Sequence, residues 1–300
     1  MDDAESKMEK KMSMTSFLIY WRSMKSKPGL AEGQTIPRFE TVLPPVSVSR
    51  KQYLGLRLAW DLGDYGVLPP LYPAFATFMT QLKHLSDPKF PFQAMGTVHI
   101  RTVVEQVRVL RLDDKIAYRC SVEGHRVVDR GVEFDMVVEA IVDHVVASTT
   151  TMTMYRRTAI RLRDRVRPAV QVHNHITAHE SSWDVTQATA RTYARLSGDI
   201  NPIHLSVLTA RVLGFKAMML HGIWIVGRSC AMHPIQMMAD NIRLESEFKS
   251  PVLLPSTLRY RWWDVDGVLE MRVLDKNGVK PHMTARLTTI GSKTKAESPS

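Results

Sequence analysis

Twice along the chain an apolar helical segment is followed by a series of strand-like stretches with only turns between them. That order excludes an all-parallel sheet, in which successive strands need crossover helices. In the second half, residues 222–232 are apolar nearly all round and stop at Pro234, the pattern of a buried helix. Strands are expected over 243–248, 257–265, 268–274 and 279–290, with Asp-Gly and Asn-Gly hairpin turns ending at Gly267 and Gly278. In the first half, residues 74–85 carry helical spacing at Phe75, Phe78, Met79, Leu82 and Leu85. Pro73 sits where a first helical turn tolerates proline, and Ser86, Asp87 and Pro88 close the segment. Strands are expected over 97–104, 106–112 and 115–123, with one long strand over 132–155. Its β-branched stretch 137–146 reads as a central strand. The expected fold is α+β, two packed units that each wrap a curved antiparallel sheet around a long central helix. The expected boundaries are a loose segment 1–36, a first unit 37–165, a second unit 166–291 and a loose tail 292–300, with Pro168 marking the join.

Forty Lys and Arg against thirty Asp and Glu leave a formal charge of +10, which attracts polyanions. The densest basic run lies over 156–167, but no helix-turn-helix, zinc-finger or RNA-binding signature accompanies it, so nucleic acid is not an expected partner. Cys120 and Cys230 do not make a disulfide framework in a chain of 300 residues. No stretch approaches the roughly 20 apolar residues of a membrane helix, and the patch Phe17 to Trp21 is short and follows acidic residues. With no carboxyl-terminal peroxisomal tripeptide after Ser298-Pro299-Ser300, the expectation is a cytoplasmic protein.

The stretch before the second buried helix carries the chemistry. A helical stripe runs through Val185, Ala188, Thr192 and Leu196, with Ser182 or Asp184 as an expected cap and Ser197-Gly198 as its end. Pro202 disfavours helix at Asn201, so the tract from Asp199 to His204 must turn. In a continued helix these two side chains would diverge, whereas a turn can bring both to one point. A short helix over 205–213, closed by Gly214, is expected next.

The tract from Tyr193 to His204, with Ser197-Gly198-Asp199-Ile200-Asn201-Pro202-Ile203-His204 at its centre, resembles the signature of the MaoC-like and (R)-specific enoyl-CoA hydratases. Gly214-Phe215 and Met219-Leu220-His221-Gly222-Ile223 resemble the second block of that family. The likeness covers about residues 170–290; the first half is similar more weakly, through residues 68–73 and 95–99, and lacks the Gly-Asp…Asn-Pro…His element. The resemblance implies a double hot-dog fold with one site per chain and a degenerate first unit that binds the acyl chain. It implies that Asp199 and His204 add water to a trans-2-enoyl thioester, giving the (R)-3-hydroxyacyl product. The chemistry needs a base for the water's proton, an acid for C2 and donors for the developing enolate oxygen. The amide of Gly222, at a helix start, would supply one such donor. Asn201 is expected to brace the turn and His221 to position the loop before Gly222. Some relatives carry a serine where this chain has Cys230, so support of the carboxylate would fall to Cys230 or its neighbour Ser229. No separate cofactor is implied, since coenzyme A or acyl-carrier protein belongs to the substrate. Two units in one chain can imitate a dimer, so a monomeric pseudo-dimer or a homodimer is expected.

His173, His175, His179 and Glu180 could suggest zinc, but alternation along a strand does not converge them, and no metal is expected. Trp262, Trp263 and most methionines read as core, with Met218 and Met219 as candidates to line an acyl tunnel. Two other functions fit the same fold: an acyl-CoA thioesterase, and a non-catalytic acyl-thioester-binding subunit.

Overall fold

The computed structural model describes residues 18–23, 25–31, 33–158 and 178–290. In the first half a short helix α1 (residues 18–23) precedes β1 (Phe39–Ser47), α2 (Arg50–Trp60), α3 (Tyr72–Ala76) and α4 (Phe78–Ser86). Strands β2 (Thr97–Gln106), β3 (Lys115–Val128), β4 (Gly131–Val142) and β5 (Val145–Arg157) follow. The second half repeats the plan with β6 (His179–Val185), α5 (Gln187–Ser197), a 3-10 turn at Pro202–His204, α6 (Val207–Val212), α7 (Gly222–Ala231) and α8 (Pro234–Met237). It ends in β7 (Ile242–Phe248), β8 (Ser256–Val265), β9 (Val268–Leu274) and β10 (Pro281–Thr289).

All ten strands belong to one antiparallel sheet in the order β1-β3-β4-β5-β2-β7-β10-β9-β8-β6. Read from either end, the order is the same succession of equivalent strands. The two expected units are thus fused through β2 and β7, paired from Arg101 with Glu247 to Gln106 with Ile242. This is the double hot-dog arrangement, with one hydrophobic core running through both halves. Strand β4 alternates buried and half-buried residues, as a strand with one face on the core does.

Helix α7 is the buried helix of the second half, with Trp224, Ile225, Val226, Gly227 and Cys230 enclosed. Helix α2 packs on it so closely that a Cβ on Gly227 would lie 2.0 Å from the ring of Trp60. Trp224 Nε1 donates to the carbonyl of Ala59 at 2.9 Å, and Arg228 to that of Trp60 at 3.0 Å. The first half therefore holds the helix on which the second half builds its site.

Several expectations are corrected. The long strand 132–155 is the hairpin β4–β5, turned by Asp143 and His144 at φ of 50° and 66°, the left-handed pair that a two-residue hairpin loop requires. Residues 106–112 leave the sheet after Gln106, where the side chain of Asp240 takes the Val109 amide at 2.7 Å. The segment 74–85 is broken at Thr77, whose hydroxyl donates to Pro73 O at 2.7 Å and receives Gln81 Nε2 at 2.9 Å. The first half thus carries its central helix in two pieces, α3 and α4. Within the segment 1–36, α1 is no loose end, because Ile19 and Tyr20 are buried against Leu82. Pro168, His173, His175 and the arginines from 161 to 167 lie outside the described residues. Among the described residues, no helix is long and apolar enough to cross a membrane.

Candidate active site

Helix α5 delivers the site. Thr186 caps it through a reciprocal box with Thr189, while the expected caps Ser182 and Asp184 and the first stripe residue Val185 belong to β6. Gly198 ends the helix at φ 77°, a left-handed conformation natural to glycine. The Ser197 hydroxyl accepts the amide of Asp199 at 3.1 Å. The side-chain oxygen of Asn201 accepts from Ile203 N at 3.4 Å and caps the 3-10 turn. His204 follows at the end of that turn, 8% exposed.

The turn does bring the carboxylate and the imidazole together. Polar atoms of Asp199, His204 and His221 all lie within 4.8 Å of one another. Met219 O lies 2.7 Å from His204 Nδ1, and because a carbonyl can only accept, the proton is assigned to Nδ1. Nε2 of His204 then carries the free lone pair. The ring of His221 stacks on that of His204 with centroids 3.7 Å apart. Its Nε2 faces Asp199 O at 3.2 Å and Asp199 Oδ2 at 3.8 Å, both acceptors, so it bears the second proton. Burial first, and His204 second, push His221 down to about 3, so it is a neutral donor near pH 7. His221 is thus part of the cluster as well as the residue before α7.

Gly222 opens α7, whose first amides have no partners within the helix. A Cβ there would meet the ring of Phe248 at 2.8 Å. The small residue therefore admits an aromatic wall, a requirement distinct from the expected approach of a carbonyl. His99 of the first half packs edge-on against Phe248 at 4.9 Å, and burial pushes its imidazole down to about 4. Tyr193 contacts His221 at 5.0 Å between ring centroids.

Ser229 and Cys230 are not brought to the carboxylate. Ser229 donates to Ile225 O at 2.9 Å within its own helix. Cys230 is buried in the core, where desolvation pushes its thiol up to about 12. The partners of Asp199 Oδ1 are instead Tyr20 Oη at 3.0 Å and the amide of Asn201 at 3.3 Å. Sequence reasoning missed Tyr20, Phe248 and His99. The apolar patch at 17–21 and the block at 95–99 were the available signals, though neither says what it touches. Met218 and Met219 are buried.

Asp199, His204 and His221 are also a possible ligand set for a cation. Occupying it would require His221 to release the Asp199 carbonyl and the stacked rings to tilt toward one centre. Of the other metal candidates, Glu180 is held by Arg259 and Arg261, and His179 stacks on Trp262.

A carboxylate and an imidazole thus meet at the start of the buried helix in the second half of a double hot-dog fold. Residues 168–283 match the family described as MaoC like domain. The chain is similar to 3-hydroxyacyl-thioester dehydratase X of Mycobacterium tuberculosis, 29% identical over 222 residues, which is 74% of this chain and 79% of that protein. The crystal structure of HtdX from the same organism aligns at a TM-score of 0.72 and 24% identity, covering 84% of this chain and 100% of that one. A MaoC-like dehydratase from Phytophthora capsici aligns at a TM-score of 0.69 and 18% identity, over 87% and 98% of the two chains.

Proposed function

We propose that the protein reversibly hydrates trans-2-enoyl thioesters of coenzyme A or a carrier protein to (R)-3-hydroxyacyl thioesters. The observation that carries this reading is the convergence of Asp199 and His204 beside the first amide of α7. One water fits the chemistry of the pair, donating to Asp199 Oδ2 and to His204 Nε2. His204 takes a proton from that water, and the hydroxide adds to C3 of the enoyl group. The electron pair of the double bond moves to the thioester oxygen, where the Gly222 amide and the positive end of the α7 dipole stabilise it. The imidazolium then returns its proton to C2, which balances the addition of one water. Dehydration is the same path reversed. Asp199 orients the water and stabilises the imidazolium while it exists. No separate cofactor enters these steps. The first half contributes His99 to the acyl-binding wall, where it meets Phe248 of the second half.

The test is incubation of the purified chain with short, medium and long 2-enoyl-CoAs and with enoyl-carrier protein, followed by chiral analysis of the product. A (R)-3-hydroxyacyl thioester is expected, with most activity gone in Asp199→Asn and His204→Gln. Failure to hydrate any of these substrates sinks the reading. Release of free thiol from a saturated acyl-CoA, sensitive to Asp199→Asn, replaces it with hydrolysis.

A further inference from the structure

We propose that Tyr20 is the positioning residue for Asp199, carried to the turn of the second half by α1. This rests on the reading that Asp199 handles the reacting water. Helix α1 is docked in a groove: Ile19 and Tyr20 are buried with Leu82, backed by Phe78, Met79, Ala94 and Ile200. Its end is closed within the helix by Ser23 Oγ, which donates to Tyr20 O at 2.7 Å, and is tied to the following segment by the Ala94 amide, which donates to Ser23 O at 3.0 Å.

From that seat Tyr20 Oη reaches Asp199 Oδ1 at 3.0 Å and Gly198 O at 3.1 Å. The backbone amides of Ile200 and Asn201 face the same phenol oxygen. Burial, and then the charge of Asp199, raise the phenol well above its ordinary value, so it remains a neutral donor. Oδ1 is therefore occupied from two sides, by the phenol and by the Asn201 amide. A carboxylate rotates readily about its last torsion. Fixing Oδ1 leaves Oδ2 turned toward His221, on the His204 side of the cluster. The hydroxyl matters here more than the ring, since phenylalanine would fill the same apolar groove. Ser229 and Cys230 face elsewhere, so the support expected from α7 comes from the other end of the chain.

The experiment compares the full-length wild type with Tyr20→Phe, Ser23→Ala and Asp199→Asn on an enoyl-CoA substrate. Tyr20→Phe is expected to lower kcat on the order of tenfold, the scale of one hydrogen bond to a charged group, with KM nearly unchanged. Ser23→Ala loosens the same helix without touching Asp199 and should leave kcat close to the wild-type value. The proposal is overturned if Tyr20→Phe keeps the wild-type kcat, or if both variants lower kcat alike, which is the mark of a general anchor. If the wild type turns over and Asp199→Asn stops it while Tyr20→Phe is silent, only the role of Tyr20 falls. If the wild type hydrates nothing, the reaction itself falls, and the positioning role with it.

Discussion

Residues 61–71 of the first half and 198–221 of the second occupy equivalent places, each linking a helix to the buried helix of its unit. Both begin with a left-handed residue, Asp61 at φ 53° and Gly198 at φ 77°. Both carry an aspartate soon afterwards, but in unlike surroundings. Asp64 is more than half exposed and is held by Arg57 at 2.8 Å and Tyr53 Oη at 3.1 Å. Asp199 is 26% exposed and faces two imidazoles and a phenol, with no cation paired to it among the described residues. The helices that follow differ as well. Helix α7 opens on Gly222 with a free amide, whereas α3 has Pro73 in its first turn, which has no N–H to offer. A carboxylate neutralised by arginine braces a loop; the one beside two imidazoles at a helix start has no such partner among the described residues. The fold is common to both halves, and the turn and the helix start decide which half has a site.

The sharpest test of that contrast exchanges like for like. Asp199→Asn and His204→Gln should each lower kcat/KM by about a thousandfold, within the range general acid–base groups supply, while Asp64→Asn changes it less than about twofold. Steady-state kinetics on one enoyl-CoA, with circular dichroism to verify folding, reads all three. A comparable loss in Asp64→Asn would put chemistry in the first half and break the comparison.

The glycines of α7 give the next effect. Gly227→Ala drives a Cβ into the ring of Trp60, and should cost roughly 1–3 kcal/mol in urea unfolding as an overpacked contact. Its activity per folded molecule should be retained. Gly222→Ala meets Phe248 at 2.8 Å and should lose activity even where the chain is folded. Equal effects of the two on turnover per folded molecule would mean that the helix start has no special role.

Much of this contrast was legible in the sequence. The second-half strands and turns were readable because Asp266-Gly267 and Asn277-Gly278 announce their hairpins. The β4–β5 hairpin was not, because Asp143-His144 adopts the same left-handed pair without a glycine. Strand β1 and helix α2 were missed although Ser49 caps the helix and Tyr53, Leu56 and Trp60 form its buried stripe; the stripe is narrow and broken by Gly55 and Arg57. Asp199, Asn201 and His204 could be placed because a proline-bracketed turn is a local signal. The contact of Tyr20 with Asp199 spans 179 residues, and nothing in either local sequence points to the other. Ser229 and Cys230 were misassigned because helical spacing fixes which face of α7 they occupy only after its neighbours are known.

Buried histidines supply a smaller, pH-dependent effect. His221 is held at about 3, and His99 and His233 at about 4, each mainly by desolvation, against 6.5 when unfolded. Below pH 6.5 the unfolded chain therefore binds more protons, and stability must fall as pH drops toward those folded values. It is present in full above 6.5. Urea midpoints should be flat between pH 7 and 8 and decline from 6.5 to 5; a rise over that interval would contradict the neutral assignment of His221. Since His99 belongs to the first half and His221 to the second, His99→Asn and His221→Asn should each flatten part of the decline.

The smallest effect is the stability change in Asp64→Asn. The pair with Arg57 lies at the surface, where such contacts contribute about 0–1 kcal/mol and are screened by salt. The substitution keeps a side-chain oxygen for Tyr53 Oη, so only the ionic part is removed. A loss under about 1 kcal/mol that vanishes in 1 M NaCl is the expected result. A larger, salt-insensitive loss would mean that the carboxylate organises the link 61–71 as firmly as Asp199 is held in its own turn, and the two links would then differ in chemistry but not in rigidity.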